Sequence, residues 1–227
     1  MTQKKILIAI DSLQIGGAEK SLVSLLNILD IKQYQIDLQL FKRGGAFEKY
    51  LPDGIALLPI PSFNEFLQKG LIHQLLHFNF KYLVSRIRYT FFLHTHNALL
   101  HRVIARKFWT LCSKCYGKSL TNYDIAIAYG QGLPTFYVAD KVRAAKKLAW
   151  VNAEYILTGD DQKYQQEVYK KIDTIVAVSE TVHNQLQSVF PEYTDKLAIM
   201  PDLINEKLIY QMSQEFIPDI DSSKKYF

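Results

Sequence analysis

Gly16 and Gly17 are the first residues in the chain whose type and place could do chemistry. They follow the apolar run Ile6-Leu7-Ile8-Ala9-Ile10, which Asp11 ends. They precede Ser21 to Leu29, where Leu22, Leu25, Leu26 and Leu29 recur at helical spacing. A short isoleucine-rich run reads as a buried parallel strand, so the glycines fall on a strand-to-helix turn. Without a Cβ, glycine lets a ligand approach the backbone, and the free N–H groups of a first helical turn favour an anion. Two readings stand here: a phosphate- or sugar-facing loop, or an ordinary tight turn capped by Glu19. Four further positions have the same character, each at the end of an apolar run: Tyr129-Gly130-Gln131-Gly132, Asn152 with Glu154, Ser179, and Asp202. Each also has a plain structural reading. Ser179 could cap a helix, Glu154 could be a solvated charge, and Asp202 could form a turn.

The elements that must position these residues follow from the hydrophobic pattern. Strands are predicted at residues 6–10, 34–41, 55–60, 123–129, 147–152, 174–179 and 196–200. Helical patterns are predicted at 133–140, 162–171 and 180–189, with a short helix at 45–51. Strand alternating with helix implies an α/β fold with a doubly wound, mainly parallel, Rossmann-like sheet. Ligands of such sheets bind outside the carboxyl ends of the strands, where the candidates above fall. The second strand runs into Lys42-Arg43-Gly44-Gly45, and the first loop lacks GxGxxG. A dinucleotide site usually places an acid after that strand, so an NAD enzyme is disfavoured.

Residues 66–122 differ from the rest. From Phe66 to Tyr123 there is no Asp or Glu, while nine Lys and Arg residues and five of the six histidines occur there. The chain as a whole is +5, so the remainder is net negative. Leu83, Ile87 and Phe91, and then Leu100, Ile104 and Phe108, recur at helical spacing, which predicts two or three amphipathic basic helices inserted into the sheet domain. One expectation is docking on an anionic membrane surface through Lys81, Arg86, Arg88, Arg102, Arg106 and Lys107. The other is a core-packing insertion with a solvated basic face. No nucleic-acid module is recognisable. His94, His96 and His101 lack a carboxylate nearby in sequence, so a metal site is not expected.

Cys112 and Cys115 give no disulfide framework and suit a reducing compartment. Asp11 stops the first apolar run too early for a signal peptide, and no run is long enough to cross a bilayer. The expected place is the cytoplasm, peripheral on the inner face of the cell membrane.

Taken together, four segments resemble the N-terminal half of family-four glycosyltransferases of the GT-B fold. They are Gly-Gly-Ala-Glu with its leucine-patterned helix, Lys-Lys-Leu-Ala-Trp-Val-Asn-Ala-Glu, Ile-Asp-Thr-Ile-Val-Ala-Val-Ser-Glu-Thr-Val, and Lys-Leu-Ala-Ile-Met-Pro-Asp-Leu-Ile-Asn. The resemblance implies one half of a GT-B fold, with residues 1–205 as the acceptor-binding domain and 206–227 as a crossover toward an absent donor-binding domain. It implies a retaining transfer from a nucleotide sugar to a lipid-linked or cell-surface glycan, with no metal and no cofactor beyond that co-substrate. Asn152 and Glu154 would be catalytic. Gly16, Gly17, Tyr129, Gly130, Gln131, Ser179 and Asp202 would bind acceptor or phosphate. The family commonly has histidine where this chain has Asn152, and asparagine cannot shuttle a proton. The family's crossover order, Asn then Asp, is reversed here as Asp202 and Asn205. The alternative is a non-catalytic glycan- or nucleotide-binding module at the membrane surface.

Overall fold

The structure, a computed structural model, describes residues 3–69, 79–95, 101–153, 157 and 159–215. Seven strands form one sheet: β1 (Lys4–Ile10), β2 (Tyr34–Leu40), β3 (Ile55–Leu57), β4 (Asn122–Ala128), β5 (Arg143–Val151), β6 (Thr174–Ala177) and β7 (Leu197–Ile199). Their order is β3-β2-β1-β4-β5-β6-β7, and every pairing is parallel. Among the described residues the helices are α1 (Gly17–Ile28), α2 (Ser62–Gln68), α3 (Phe80–Thr95), α4 (His101–Cys112), α5 (Leu133–Lys141), α6 (Gly159–Tyr169), α7 (Glu180–Val189) and α8 (Glu206–Ser213). The fold class is the one expected: α/β, parallel, Rossmann-like, with a basic helical insertion. Three details differ. β5 starts four residues earlier than the apolar pattern suggests, because Arg143 and Ala144 pair with Asn122 and Tyr123. Residues 45–51 contain only a 3-10 turn, Glu48–Tyr50. The helical insertion begins with α2 at Ser62, right after Pro61.

The pleat sends alternate strand residues to two cores. On one face Ile6, Ile8, Ile10, Ile36, Leu38, Leu40, Trp150 and Val176 pack with Leu22, Val23 and Leu26 of α1 and Leu208 of α8. On the other the strands present small residues: Ala9, Ala126, Ala128, Ala149 and Ala177. That leaves room for bulky side chains from the helices above, and Trp109, Tyr116, Phe136, Tyr137 and Tyr169 fill it. Trp109 and Tyr116 come from the insertion. The insertion is therefore a core layer on its inner side.

Its charges are shared with the sheet domain. Arg106 of α4 bonds through Nε to Asp161 of α6, and its Nη1 lies 4.0 Å from Asp160. Trp109 Nε1 donates to Asp140 at 2.7 Å, and Lys171 pairs with the same carboxylate at 2.6 Å. Burial opposes ionisation of Asp140, but the bonds from Lys171 and Trp109 outweigh it and hold its carboxyl below the usual range. Cys112 and Cys115 are buried; Cys115 Sγ lies 3.2 Å from Ser85 Oγ. Burial first, and Cys115 second, push the Cys112 thiol up to about 12, so this sulfur packs and does not react at neutral pH.

The resemblance implies a crossover over residues 206–227. Their first part, α8, packs Leu208 into the domain core, with Asn205 Oδ1 capping it by accepting from Leu208 N–H. Residues 216–227 lie outside the described set. Among the described residues no helix is long and apolar enough to cross a membrane, and no group of His, Cys, Asp or Glu could hold a metal.

Candidate functional site

The strand order reverses between β1 and β4, because β1–β3 run one way across the sheet and β4–β7 the other. Loops leaving two such neighbours diverge to opposite faces, which opens a crevice at their carboxyl ends. Gly16 and Gly17 lie at the β1 side of this crevice and Tyr129 to Gly132 at the β4 side, with Asn152 on the next strand end.

Gly16 is extended (φ −170°) and precedes the first residue of α1. A Cβ on Gly16 would lie 2.2 Å from Glu19 Oε2, so the Glu19 side chain folds back over the helix start. A Cβ on Gly17 would meet nothing within 4 Å. Gly17 is exposed, and neither glycine has positive φ. The space at Gly17 is thus open to whatever occupies the crevice, next to the N-terminus of α1. Ile15, 84% exposed, sits at the tip of the same loop.

A second loop clamps the first. Phe47 N–H donates to Leu13 O at 2.9 Å, and Gln14 Nε2 to Gly44 O at 3.3 Å. Glu48 accepts from Gly45 N–H and from Arg43 Nε. Here the steric need for glycine is at Gly45, whose Cβ would fall 2.2 Å from the Leu13 carbonyl. Gly44-Gly45 followed by Glu48 was the sequence signal for this clamp, but its partner loop could not be read from local pattern.

Tyr129 is buried and stacks on Trp150 with centroids 5.2 Å apart. Its hydroxyl lies 2.8 Å from Ser21 Oγ of α1, which ties the two sides of the crevice together. Burial pushes the phenol up to about 12; Ser21 opposes this and Asp202, close by, adds to it. Tyr129 therefore stays neutral and supports the crevice from beneath. Gln131 bridges the next two loops: Oε1 accepts from Asn152 N–H and Nε2 donates to Ala153 O, both at 3.2 Å. Gly130 O accepts from Thr135 Oγ1, and Gly132 (φ 78°) starts α5.

Asn152 is half-buried. Its Nδ2 donates to Tyr129 O at 3.3 Å, while its buried Oδ1 has no donor among the described residues. A buried amide oxygen without a donor is costly unless a water or ligand supplies one. The amide is thus held by one end with an acceptor to spare. Ser179 caps α7 by accepting from Val182 N–H at 3.2 Å, the structural role. Asp202 is exposed in the loop between β7 and α8. Glu154 lies outside the described residues.

Asp11 was passed over in the sequence as a strand stop. It is exposed at the end of β1, and its carbonyl accepts from Phe41 and Lys42 N–H. Loss of hydration, and then the charge of Glu19, raise its carboxyl from 3.8 to about 6. A raised acid binds its proton more tightly in the native state, so its contribution to stability falls as pH rises from about 4 to about 6. Water still reaches this exposed residue and screens the penalty, so Asp11→Asn should raise the melting temperature by only about a degree at neutral pH and leave it unchanged well below 3.8. Thermal unfolding followed across that range checks it; no gain at neutral pH would show that the crevice does not penalise this charge.

The strand order and its switch point between β1 and β4 define a doubly wound Rossmann-like domain. Solved structures share this fold. HepE of Anabaena, in complex with UDP and glucose, aligns over 93% of this chain and 50% of its own with a TM-score of 0.50 at 13% identity. A glycosyltransferase from Rickettsia africae aligns over 96% and 51%, with a TM-score of 0.47 at 14% identity. The chain thus spans about half the length of the structures it matches. Likeness at these identities is a likeness of fold. No protein-family profile and no curated protein matches the chain.

Proposed function

We propose that this chain is the N-terminal, acceptor-side domain of a GT-B glycosyltransferase of the family-four kind. It would take part in a retaining transfer of sugar from a nucleotide sugar to a lipid-linked or cell-surface glycan. The observation that carries the reading is the switch point between β1 and β4, with its flanking loops, on a fold shared with half of HepE. One wall is the open glycine loop at the α1 N-terminus; the other is Asn152, fixed by Tyr129 and Gln131 with an acceptor oxygen to spare. In this reading Asn152 Oδ1 accepts from an acceptor hydroxyl and orients it, and Glu154 is the second catalytic residue, as the sequence resemblance implies. The N–H groups of the first turn of α1 would stabilise charge on the leaving diphosphate. Orientation and electrostatics are the two sources of rate. Retention and the family assignment rest on the sequence resemblance, and the nucleotide-sugar donor on the resemblance together with the ligand of HepE.

Two measurements test this. The chain alone, incubated with UDP-glucose and glycan acceptors, should release no UDP above a buffer control; release would sink the half-enzyme reading. In the chain joined to a donor domain, Gly17→Val should lower kcat/KM at least tenfold, roughly 1.4 kcal/mol of transition-state stabilisation. Stability should hardly change, since a Cβ there meets nothing. Unchanged turnover in Gly17→Val would make the loop a mere turn.

A further inference from the structure

Residues 141–153 hold four cations, Lys141, Arg143, Lys146 and Lys147, and no acid. The first part of β5 carries two of them to the amino-terminal end of the sheet. There Arg143 and Lys147 line a cleft of about 420 Å³, with Asn122 and Tyr123 of β4 beside them. All strands run parallel, so this cleft and the switch-point loops lie at opposite ends of the sheet. The seven residues of β4 separate them by roughly 20 Å.

Between the two cations lie Ala144 and Ala145, whose methyl groups are too small to fill the space. The ladder is interrupted at the same point. Asn122 pairs with Arg143, Tyr123 with Ala144 and then Ile125 with Lys146, passing over Asp124 and Ala145. β6 joins β5 only at Leu148, which pairs with Thr174. A gap in pairing leaves main-chain polar groups to find another partner. The start of the strand is anchored all the same. Val142 is buried, Arg143 N–H donates to Ser119 Oγ at 2.9 Å, and Ser119 N–H donates to Lys141 O at 2.7 Å.

The positive charge in the cleft is not matched by the protein. Arg143 is exposed and makes no ion pair among the described residues. Lys147 is half-buried, and its Nζ donates to the Ala139 carbonyl at 2.9 Å. Burial pulls its ammonium below the usual lysine range; Asp140 and Asp173 oppose this and Lys171 adds to it. The nearby carboxylates are engaged elsewhere. Asp140 holds Lys171 and Trp109, Asp173 accepts from Lys147 N–H, Asp124 from Lys5 N–H, and Asp37 from the Tyr123 hydroxyl. None of these acids lines the cleft.

We propose that this cleft binds a small phosphate-bearing molecule. The Arg143 fork meets two phosphate oxygens and Lys147 supplies a point charge, while Tyr123 and Val142 face the rest of the molecule. A dianion matches two cations, where a single carboxylate would leave one unmet. The space exceeds what a bare ion needs and falls within the range of small-molecule sites. This inference does not depend on the proposed transferase activity, and its test reads binding only.

The test is isothermal titration of the 227-residue chain with uridine monophosphate and with inorganic phosphate, at fixed ionic strength in chloride. Saturable binding of the nucleotide is expected, with weaker binding of phosphate at the same place. Arg143→Gln should weaken both at least about tenfold, the effect of losing one charged hydrogen-bond donor. Ala145→Asp should abolish both, because it fills the floor with a like charge. Both residues are exposed, so the melting temperature of the free chain should hold. Gly17→Val, at the other end of the sheet, should bind as the parent does. No saturable binding of either probe, or binding that survives Arg143→Gln and Ala145→Asp, overturns the proposal. So does binding of phosphate without the nucleotide, which would leave a bare-ion site. Binding that Gly17→Val alone removes overturns it too, by placing the anion at the N-terminus of α1.

Discussion

Trp109→Ala is expected to lower the free energy of unfolding by about 4 kcal/mol, the usual cost of truncating a large buried aromatic. Trp109 is 1% exposed and lies against the alanine-lined face of the sheet. Its ring meets Tyr116 at 5.1 Å and Phe136 at 6.4 Å, and Lys141 Nζ stands 5.9 Å from it. The small strand residues beneath cannot grow to fill the void, so relaxation is limited. The substitution also removes the hydrogen bond to Asp140. Trp109→Phe separates these effects: it keeps most of the packing and loses the bond, which costs about 1–2 kcal/mol. Urea unfolding followed by circular dichroism measures both. A loss under about 1 kcal/mol for alanine would mean that the insertion only rests on the domain.

Arg106→Leu should cost about 3 kcal/mol, because it leaves Asp161 as an unpaired carboxylate in a largely enclosed place. The two side chains are 19% and 17% exposed. Their value is therefore conditional: neither is cheap to keep alone, and removing both together, Arg106→Leu with Asp161→Leu, should recover most of the loss. A double-mutant cycle should return a coupling above about 1 kcal/mol. Additive losses would place the pair among ordinary surface ion pairs.

The ion pair also shows what could and could not be read from sequence. Arg106 lies in an acid-free stretch, and its partner is 55 positions away. Charge counted along the chain made it a free cation; the topology makes it a clasp. The strand cores were legible because Ile6 to Ile10 or Ile175 to Ala177 are buried on both faces and so carry an unbroken apolar signal. The start of β5 was not, since Arg143 and Ala144 belong to the strand only by pairing with β4. Asn152 and the glycine loop could be singled out as candidates because ligands of this fold class bind at strand ends. Ser21, Gly45 and Asp11 were missed because their roles come from loops that meet across the sheet: Ser21 against Tyr129, Gly45 against Leu13, Asp11 against Glu19.

The place of β1 between β2 and β4 bears on how the chain reaches this state. The Lys5 backbone N–H donates to the Asp124 carboxylate, 119 positions away, beside the β1/β4 pairing of Ile6 with Ile125. One edge of the most apolar strand therefore stays open until β4 leaves the ribosome. At ordinary synthesis rates that interval is on the order of ten seconds. Parallel pairing over such a distance is also slow to nucleate, since loop closure precedes its reward. A nascent chain with β1–β3 made and β4 still to come exposes Ile6, Ile8 and Ile10 along an unpaired edge, so translation speed and holding chaperones govern its soluble yield.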